Sequence, residues 1–220
     1  MINEYFVNGR KNFKMIGYYN YTVILTYIGT ISGFLGIAYI GNGELKASLL
    51  CLICCGLCDM FDGKIASTMK RTAQEKRFGI QIDSLSDVIC FGVLPALIVL
   101  KESGGGVVFT GISAIYMLCA LIRLSWFNVD EEERQNKEDC GRHEYLGLPV
   151  TTSALLIPFI MGSSNLMLFD ADKIYPWILL AVAAAFIAPF RMNKPGIIGK
   201  IVMIVMGVLC LALVLVGVPS

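Results

Sequence analysis

The stretch that decides the fold runs from Cys58 to Gly92 and reads CDMFDGKIASTMKRTAQEKRFGIQIDSLSDVICFG. It carries four aspartates, Asp59, Asp62, Asp83 and Asp87, at the ends of two apolar segments that a basic loop joins. Charged side chains at membrane depth are costly and by default indicate function. Four carboxylates beside membrane-spanning sequence therefore point to a functional site.

The composition around this stretch is that of a membrane protein. Of 220 residues, 56% are hydrophobic, and the mean hydropathy is +0.68, whereas soluble domains contain about 45–50% apolar residues. The net charge of +1 gives no indication of a nucleic-acid partner. The eight cysteines lack the spacing of a secreted disulfide module, and the N-terminus lacks the apolar core of a signal peptide, so we expect reduced thiols.

Apolar runs predict an all-α, polytopic membrane bundle of about six to eight transmembrane helices, because roughly 20 apolar residues cross a bilayer. The runs cover about residues 19–40, 45–69, 78–100, 107–127, 148–168, 175–190 and 197–216. Residues 1–18 are predicted to form an interfacial or cytoplasmic segment, with an interfacial helix as one of its two forms. Residues 19–218 are predicted to form a single transmembrane domain. The segment 128–146 is predicted to be an aqueous loop.

The basic residues predict the orientation in the membrane. With the N-terminus inside, only Lys46, Lys101 and Lys173 of the 18 lysines and arginines lie outside, which is the distribution that the positive-inside rule favours. The aspartates then face the cytoplasm, in the cytoplasmic membrane. Seven crossings place the C-terminus outside, and an even number returns it to the inside.

Helical spacing places the aspartates on two faces. At about 100° per residue, two sets of residues each share one side of a helix. The first set is Asp59, Asp62, Gly63 and Ala66; the second is Gly79, Asp83 and Asp87. A short loop makes the two helices antiparallel neighbours, so these faces can meet.

Converging carboxylates repel one another unless they bind cations. Oxygen ligands suit hard ions such as Mg²⁺, Mn²⁺ or Ca²⁺, and four negative charges match two divalent ions, a common arrangement for displacement at phosphorus. The alternative is that the carboxylates snorkel to water or pair with Lys64 and Arg77.

The pattern Asp59-x-x-Asp62-Gly63-x-x-Ala66, followed by Gly79-x-x-x-Asp83-x-x-x-Asp87, resembles the signature of the CDP-alcohol phosphotransferases. These membrane enzymes move a phosphatidyl or similar group from a cytidine nucleotide to an alcohol. The resemblance implies that the four aspartates hold two divalent ions, Mg²⁺ or Mn²⁺, and that Asp87 is the catalytic base. It also implies a nucleotide site, which we assign to Asp59, Gly63, Ala66, Ser67, Arg71 and Gly79.

The phosphate-contacting half of the motif departs from the family pattern. Ser67 stands where the family usually has arginine, and the stretch from Ala66 to Gly79 is longer than the usual form. Lys70 or Arg71 is the candidate to replace the missing arginine.

Three stretches resemble the phosphatidylserine synthase branch, which joins CDP-diacylglycerol and L-serine. They read FGIQIDSLSDVICFGVLPA (78–96), IRLSWFN (122–128) and YLGLPVTTSALLIP (145–158); the second has Ser-Trp where the branch usually has Ala-Arg. Arg123 presents a planar fork that matches the serine carboxylate, and Asn128 offers an amide partner. The alternative is that Arg123 contacts lipid headgroups and Asn128 caps its helix.

Other hypotheses and patterns rank lower. The acceptor could be glycerol phosphate or an inositol phosphate, although a phosphorylated acceptor needs a denser basic pocket. A cation transporter is disfavoured because its site is usually at the membrane midplane.

A stripe of cysteines lies about 80° from the aspartates around the helix, at Cys51, Cys54, Cys55 and Cys58. We interpret these cysteines as packing residues and His143 as a solvated residue. The family resemblance implies a homodimer.

Overall fold

The structure is a computed structural model that describes residues 16–136, 144–166, 172–193 and 197–219. The helices are α1 (Tyr21–Gly41), α2 (Leu45–Ala66), α3 (Ala73–Asp87), α4 (Leu94–Glu102), α5 (Val107–Asn136), α6 (Ser153–Leu166), α7 (Tyr175–Ile187) and α8 (Ile197–Gly217). A π-helical turn, Val88–Val93, joins α3 to α4, and a 3₁₀ turn, Val150–Thr152, precedes α6. The predicted all-α bundle is confirmed.

The helices match the seven predicted apolar runs, with α3, the π turn and α4 forming one continuous crossing. Within the part of the chain that the structure describes, three helical stretches are long and apolar enough to cross a membrane by length and composition: Tyr21–Gly41, Ala73–Glu102 and Val107–Asp130. Shorter apolar helices cover Val150–Ser164, Tyr175–Ile187 and Val202–Gly217. Most of the N-terminal segment 1–18, for which an interfacial helix was one prediction, lies outside the described residues.

The predicted aqueous loop 128–146 is wrong in its first half, because α5 continues to Asn136. Residues 129–136 read VDEEERQN, and glutamate, arginine and glutamine are good helix formers. The helix therefore extends beyond its apolar part. His143 lies outside the described residues.

Contacts between helix ends show which ends share a side of the bundle. Lys46 Nζ donates to the Leu215 carbonyl at 2.9 Å, so the start of α2 lies beside the end of α8. Two three-residue strands, β1 (Glu144–Leu146) and β2 (Arg191–Asn193), pair antiparallel and tie the start of the α6 segment to the end of the α7 segment.

Gly147, directly after β1, holds this turn together. Its φ is +72°, in the left-handed region that favours glycine. Its N–H donates to the Phe190 carbonyl at 2.8 Å, and a Cβ at this position would lie 2.8 Å from the Phe186 carbonyl oxygen. A larger residue here would therefore push the end of α7 away.

Helix α1 packs closely against α2 and the α3–α4 crossing through its small residues. A Cβ added to Gly33 would lie 2.8 Å from Cys90 Sγ, and one added to Gly36 would lie 2.9 Å from Leu94. Ser48 Oγ donates to the Gly36 carbonyl at 2.9 Å. Small side chains let the helix backbones approach closely, so the small-residue face of α1 that carries Gly33 and Gly36 packs against helices of the same chain.

Candidate active site

A cavity of about 140 Å³ opens between α1, α2 and α3. Its lining residues are Thr22, Val23, Thr26, Asp62, Gly63, Ala66, Arg71, Gly79, Ile80 and Asp83. A smaller cavity beside it is lined by all four aspartates together with residues of α1 and the π turn. Asp62, Asp83 and Thr26 line both, so the two cavities share one wall.

Three of the four aspartates meet directly. One carboxylate oxygen from each of Asp59, Asp83 and Asp87 lies within 4.8 Å of the other two, and the three side chains are half-buried. Asp62 faces both cavities beside Asp83 but lies outside this three-carboxylate cluster. The two helical stripes predicted from the sequence therefore converge, with Asp62 at the edge.

The donor set fits a divalent metal ion. All the ligand atoms are carboxylate oxygens, which Mg²⁺ and Mn²⁺ prefer. Among the described residues, the ionisable groups that act on these carboxylates are other aspartates and the Cys90 thiol, and no lysine or arginine is among them. Lys64, one of the two alternative partners, lies over the Phe61 ring at 5.4 Å, and Arg77 is exposed. A divalent cation would therefore neutralise the cluster.

Arg71 lies on the side of the cavity that the sequence predicts to bind the nucleotide. This half-buried residue lines the cavity, whereas its neighbour Lys70 is exposed and outside the lining. A Cβ added to Gly79 would lie 3.2 Å from Arg71 Nη1, so glycine there leaves room for the guanidinium. A Cβ added to Gly63 would meet nothing within 4 Å and would project into open space.

Ser67 lies apart from the other predicted nucleotide residues. It caps the end of α2, where its Oγ donates to the Lys64 carbonyl at 2.6 Å, and it is not among the residues that line the cavity. Asp59 lines only the smaller cavity. The cation that lines the larger cavity, Arg71, is therefore carried by the loop after α2 rather than by the position after Ala66.

The loop that carries Arg71 is anchored at its α3 end by two sets of contacts. Thr72 begins α3 with a capping box, in which its N–H donates to Glu75 Oε2 at 2.8 Å and the Glu75 N–H donates to Thr72 Oγ1 at 3.2 Å. Asn20 Nδ2, just before α1, donates to Glu75 Oε1 at 3.2 Å. The Thr-x-x-Glu spacing was readable in the sequence, whereas the contact with Asn20 was not.

Thr26 is a residue of the site that the sequence reasoning missed. It is 7% exposed and lines both cavities. Among the described residues, its hydroxyl has no hydrogen-bond partner. Its signal was the four-residue spacing of Thr22, Thr26 and Thr30 along one face of α1.

The predicted acceptor residues lie on α5. Arg123 is 8% exposed; its Nε donates to the Leu148 carbonyl at 3.3 Å, and its guanidinium lies 5.8 Å from the Phe127 ring centre. Asn128 Oδ1 accepts from Ser84 Oγ at 2.7 Å, next to Asp83. Because α5 continues past Asn128, the helix-cap alternative for this residue is wrong. Neither residue lines the two cavities.

The cysteines pack between helices, in agreement with the sequence interpretation. Cys55 Sγ and Cys90 Sγ each donate to the Gly29 carbonyl at 3.3 Å. Cys55 and Cys58 also line the smaller cavity together with the aspartates. This part of the cysteine stripe therefore lies closer to the aspartates than a separation of about 80° around the helix implies.

Comparison with known proteins identifies the family of the chain. A family model described as CDP-alcohol phosphatidyltransferase matches residues 19–189. The chain belongs to this family.

The names of three similar proteins all specify serine. An archaetidylserine synthase of Methanothermobacter thermautotrophicus is 31% identical over 169 residues, which cover 75% of this chain and 66% of the relative. A CDP-diacylglycerol–serine O-phosphatidyltransferase of Helicobacter pylori is 25% identical over 79% of this chain and 71% of its own length. The enzyme of that name from Methanocaldococcus jannaschii is 28% identical over 86% of this chain and 85% of its own length.

Family membership connects the acidic cluster with phosphatidyl transfer. This integral membrane phosphatidyltransferase carries, where its family motif predicts them, the aspartates that suit divalent-metal-dependent chemistry. The transporter alternative is therefore set aside.

Proposed function

We propose that this phosphatidyltransferase moves the phosphatidyl group of CDP-diacylglycerol to the hydroxyl of L-serine, giving phosphatidylserine and CMP. The observation that carries the proposal is the convergence of Asp59, Asp83 and Asp87 beside a cavity that Arg71 lines. This arrangement places negative charge for metal ions and positive charge for a diphosphate at one site. The relatives, whose names specify serine, support the choice of acceptor.

The donor lies in the larger cavity in this proposal. Gly63, Ala66 and Gly79 leave space for the nucleotide against the helix backbones, and the Arg71 guanidinium binds phosphate oxygens of the donor through charge-assisted hydrogen bonds. The four aspartates would hold two divalent ions, Mg²⁺ or Mn²⁺, which supply charge neutralisation of the diphosphate and of departing CMP. The Thr26 hydroxyl, which has no partner among the described residues, is placed to donate to the same ligand.

The chemical step is one displacement at phosphorus. Asp87 accepts the proton of the serine hydroxyl as the serine oxygen forms its bond to the phosphatidyl phosphorus. The bond from that phosphorus to the CMP oxygen breaks, and CMP leaves with the electron pair. Positioning and charge stabilisation supply most of the rate enhancement in such transfers.

The acceptor is held from the α5 side in this proposal. Arg123 offers its guanidinium to the serine carboxylate, and Asn128 offers its amide close to Asp83, through the contact with Ser84. A phosphorylated alcohol needs further cations, whereas a single arginine suits a carboxylate.

An acceptor panel tests the proposed function. Purified protein receives CDP-diacylglycerol, Mg²⁺ or Mn²⁺, and separately L-serine, glycerol 3-phosphate or inositol 1-phosphate, and the lipid product is identified by mass spectrometry. We expect phosphatidylserine only. A product formed with a phosphorylated alcohol and not with serine would move the chain to another branch of its family.

Arg71→Ala should raise KM for CDP-diacylglycerol by about tenfold or more with a smaller change in kcat, because loss of a hydrogen bond to a charged group costs about 1.5–3 kcal/mol. Gly79→Ala should act in the same direction by displacing the guanidinium. Lys70→Ala is the matched control, because this neighbouring cation is exposed. Equal changes in KM for Arg71→Ala and Lys70→Ala would contradict the assignment.

The placement and assembly of the protein complete the proposal. The aspartate end faces the cytoplasm in the cytoplasmic membrane, supported by the positive-inside distribution of lysine and arginine. The proposed single transmembrane domain covers residues 19–218 and contains the matched range 19–189; the proposed division leaves residues 1–18 as an interfacial or cytoplasmic segment. The protein is a homodimer, as the family resemblance implies.

A further inference from the structure

The helix that carries Asp83 and Asp87 changes its winding immediately after Asp87. Residues Val88–Val93 form a π-helical turn, at whose end the Leu94 N–H donates to the Ile89 carbonyl five residues earlier. The cause is in the sequence. Pro95 has no N–H to offer the Phe91 carbonyl four residues before it, and a proline ring crowds that carbonyl in an α-helix.

The Phe91 carbonyl is instead bonded from another helix. Tyr116 Oη, on α5, donates to it at 2.7 Å, and the Tyr116 side chain is fully buried against the Phe186 ring at 5.4 Å. Ser153 Oγ lies 3.5 Å from the same carbonyl but is closer to the Val150 carbonyl, at 2.8 Å. Tyr116 is thus the main side-chain donor to this carbonyl.

The winding of this turn decides where the acidic face points. A π turn adds a residue to the helical turn, and one residue corresponds to about 100° of rotation. On one side of the turn, Leu94 and Ile98 are fully buried in the core and fix α4. On the other side, Asp83 and Asp87 face the cavities. The orientation of the two carboxylates relative to the core therefore depends on the π turn.

We propose that Tyr116 is a positioning residue for the reaction. By bonding the Phe91 carbonyl that Pro95 cannot serve, Tyr116 holds the π turn and aims Asp87 at Asp59 and Asp83. The inference rests on the proposed function for the role of Asp87, and it adds a requirement in α5 and α4 that the aspartate motif does not contain.

A double-mutant cycle of Tyr116→Phe and Pro95→Ala tests the proposal. Tyr116→Phe should lower kcat by about tenfold and leave KM for CDP-diacylglycerol within about twofold, because small misplacement of a reacting group affects the chemical step and Arg71 is untouched. In the Pro95→Ala background, the new backbone N–H at position 95 can donate to the Phe91 carbonyl. Adding Tyr116→Phe to that background should therefore lower kcat by less than about twofold.

Tyr175→Phe is the matched control. Tyr175 is also buried and shares a hydrogen bond between its hydroxyl and Ser164 Oγ, at the start of α7. It should lower thermal stability without lowering kcat. If Tyr116→Phe has the same effect on kcat in both backgrounds, or affects only thermal stability, the positioning role is overturned.

Mn²⁺ binding without substrate provides a second readout of the same cycle. Electron paramagnetic resonance should show weakened Mn²⁺ affinity for Tyr116→Phe alone and little further loss for it in the Pro95→Ala background. Additive losses would overturn the inference. This readout decides it even if the wild-type protein released no CMP, which is the result that would refute the proposed function.

Discussion

Asp87→Asn is expected to lower kcat by about 1,000-fold while retaining most metal-dependent CMP binding. A positioned general base contributes about 10²–10⁴-fold to rate, and asparagine cannot accept the serine proton. The amide keeps an oxygen in the half-buried cluster with Asp59 and Asp83, so the site should still accept a cation. Stopped turnover with preserved binding is the signature of a lost base.

The control for this variant lies on the same crossing. Glu102→Gln removes a carboxylate at the far end of α4, away from both cavities, and kcat should stay near the wild-type value. CMP release by Asp87→Asn at a rate close to wild type would refute the assignment of Asp87 as the base.

Asp83→Asn is expected to abolish both turnover and metal binding. Asp83 is the aspartate that belongs to the three-carboxylate cluster and also lines the larger cavity. Asparagine keeps an oxygen here as well, but it removes the one negative charge that belongs both to the three-carboxylate cluster and to the larger cavity. Mn²⁺ affinity should fall by more than the about 100-fold that loss of an outer-shell partner costs.

The contrast between the two variants locates their roles. Asp87→Asn should bind CMP in the presence of Mn²⁺, whereas Asp83→Asn should not, and calorimetric titration of each protein with CMP measures the difference. If both variants bind CMP with wild-type affinity, the cluster is not the metal site.

The aspartate site was predictable from the sequence because it depends on helix period. Three- and four-residue spacing fixes which side chains share a face, and a short loop fixes which helices are neighbours. The apolar runs were likewise predictable, since bilayer thickness sets their length. The family resemblance then supplied the chemistry, and the family match and the relatives' names agree with it.

Features that depend on tertiary contacts were not predictable. Asn128 was read as a cap or ligand, but its amide accepts from Ser84, which is 44 residues earlier in the chain. Pro95 lies within a stretch, residues 78–96, that resembles the phosphatidylserine synthase branch. Its effect on the winding after Asp87 depends on Tyr116, which only the packing of α5 brings to the Phe91 carbonyl.

The role of Arg71 was predictable only in part from the sequence. The sequence showed that Ser67 replaces an arginine and offered Lys70 and Arg71 as substitutes. Choosing between them needed the loop conformation, because adjacent residues in a loop point in directions that spacing does not fix. The room left by Gly79 and the capping box at Thr72 place Arg71 at the cavity.

The most direct test of the central claim is the yield of CMP and of lipid product from the purified wild-type protein. With CDP-diacylglycerol, L-serine and Mg²⁺ or Mn²⁺, we predict CMP and phosphatidylserine in equal amounts, and neither product after chelation of the metal or omission of serine. A folded sample that releases no CMP with serine or any other alcohol, at any metal concentration, would contradict the account.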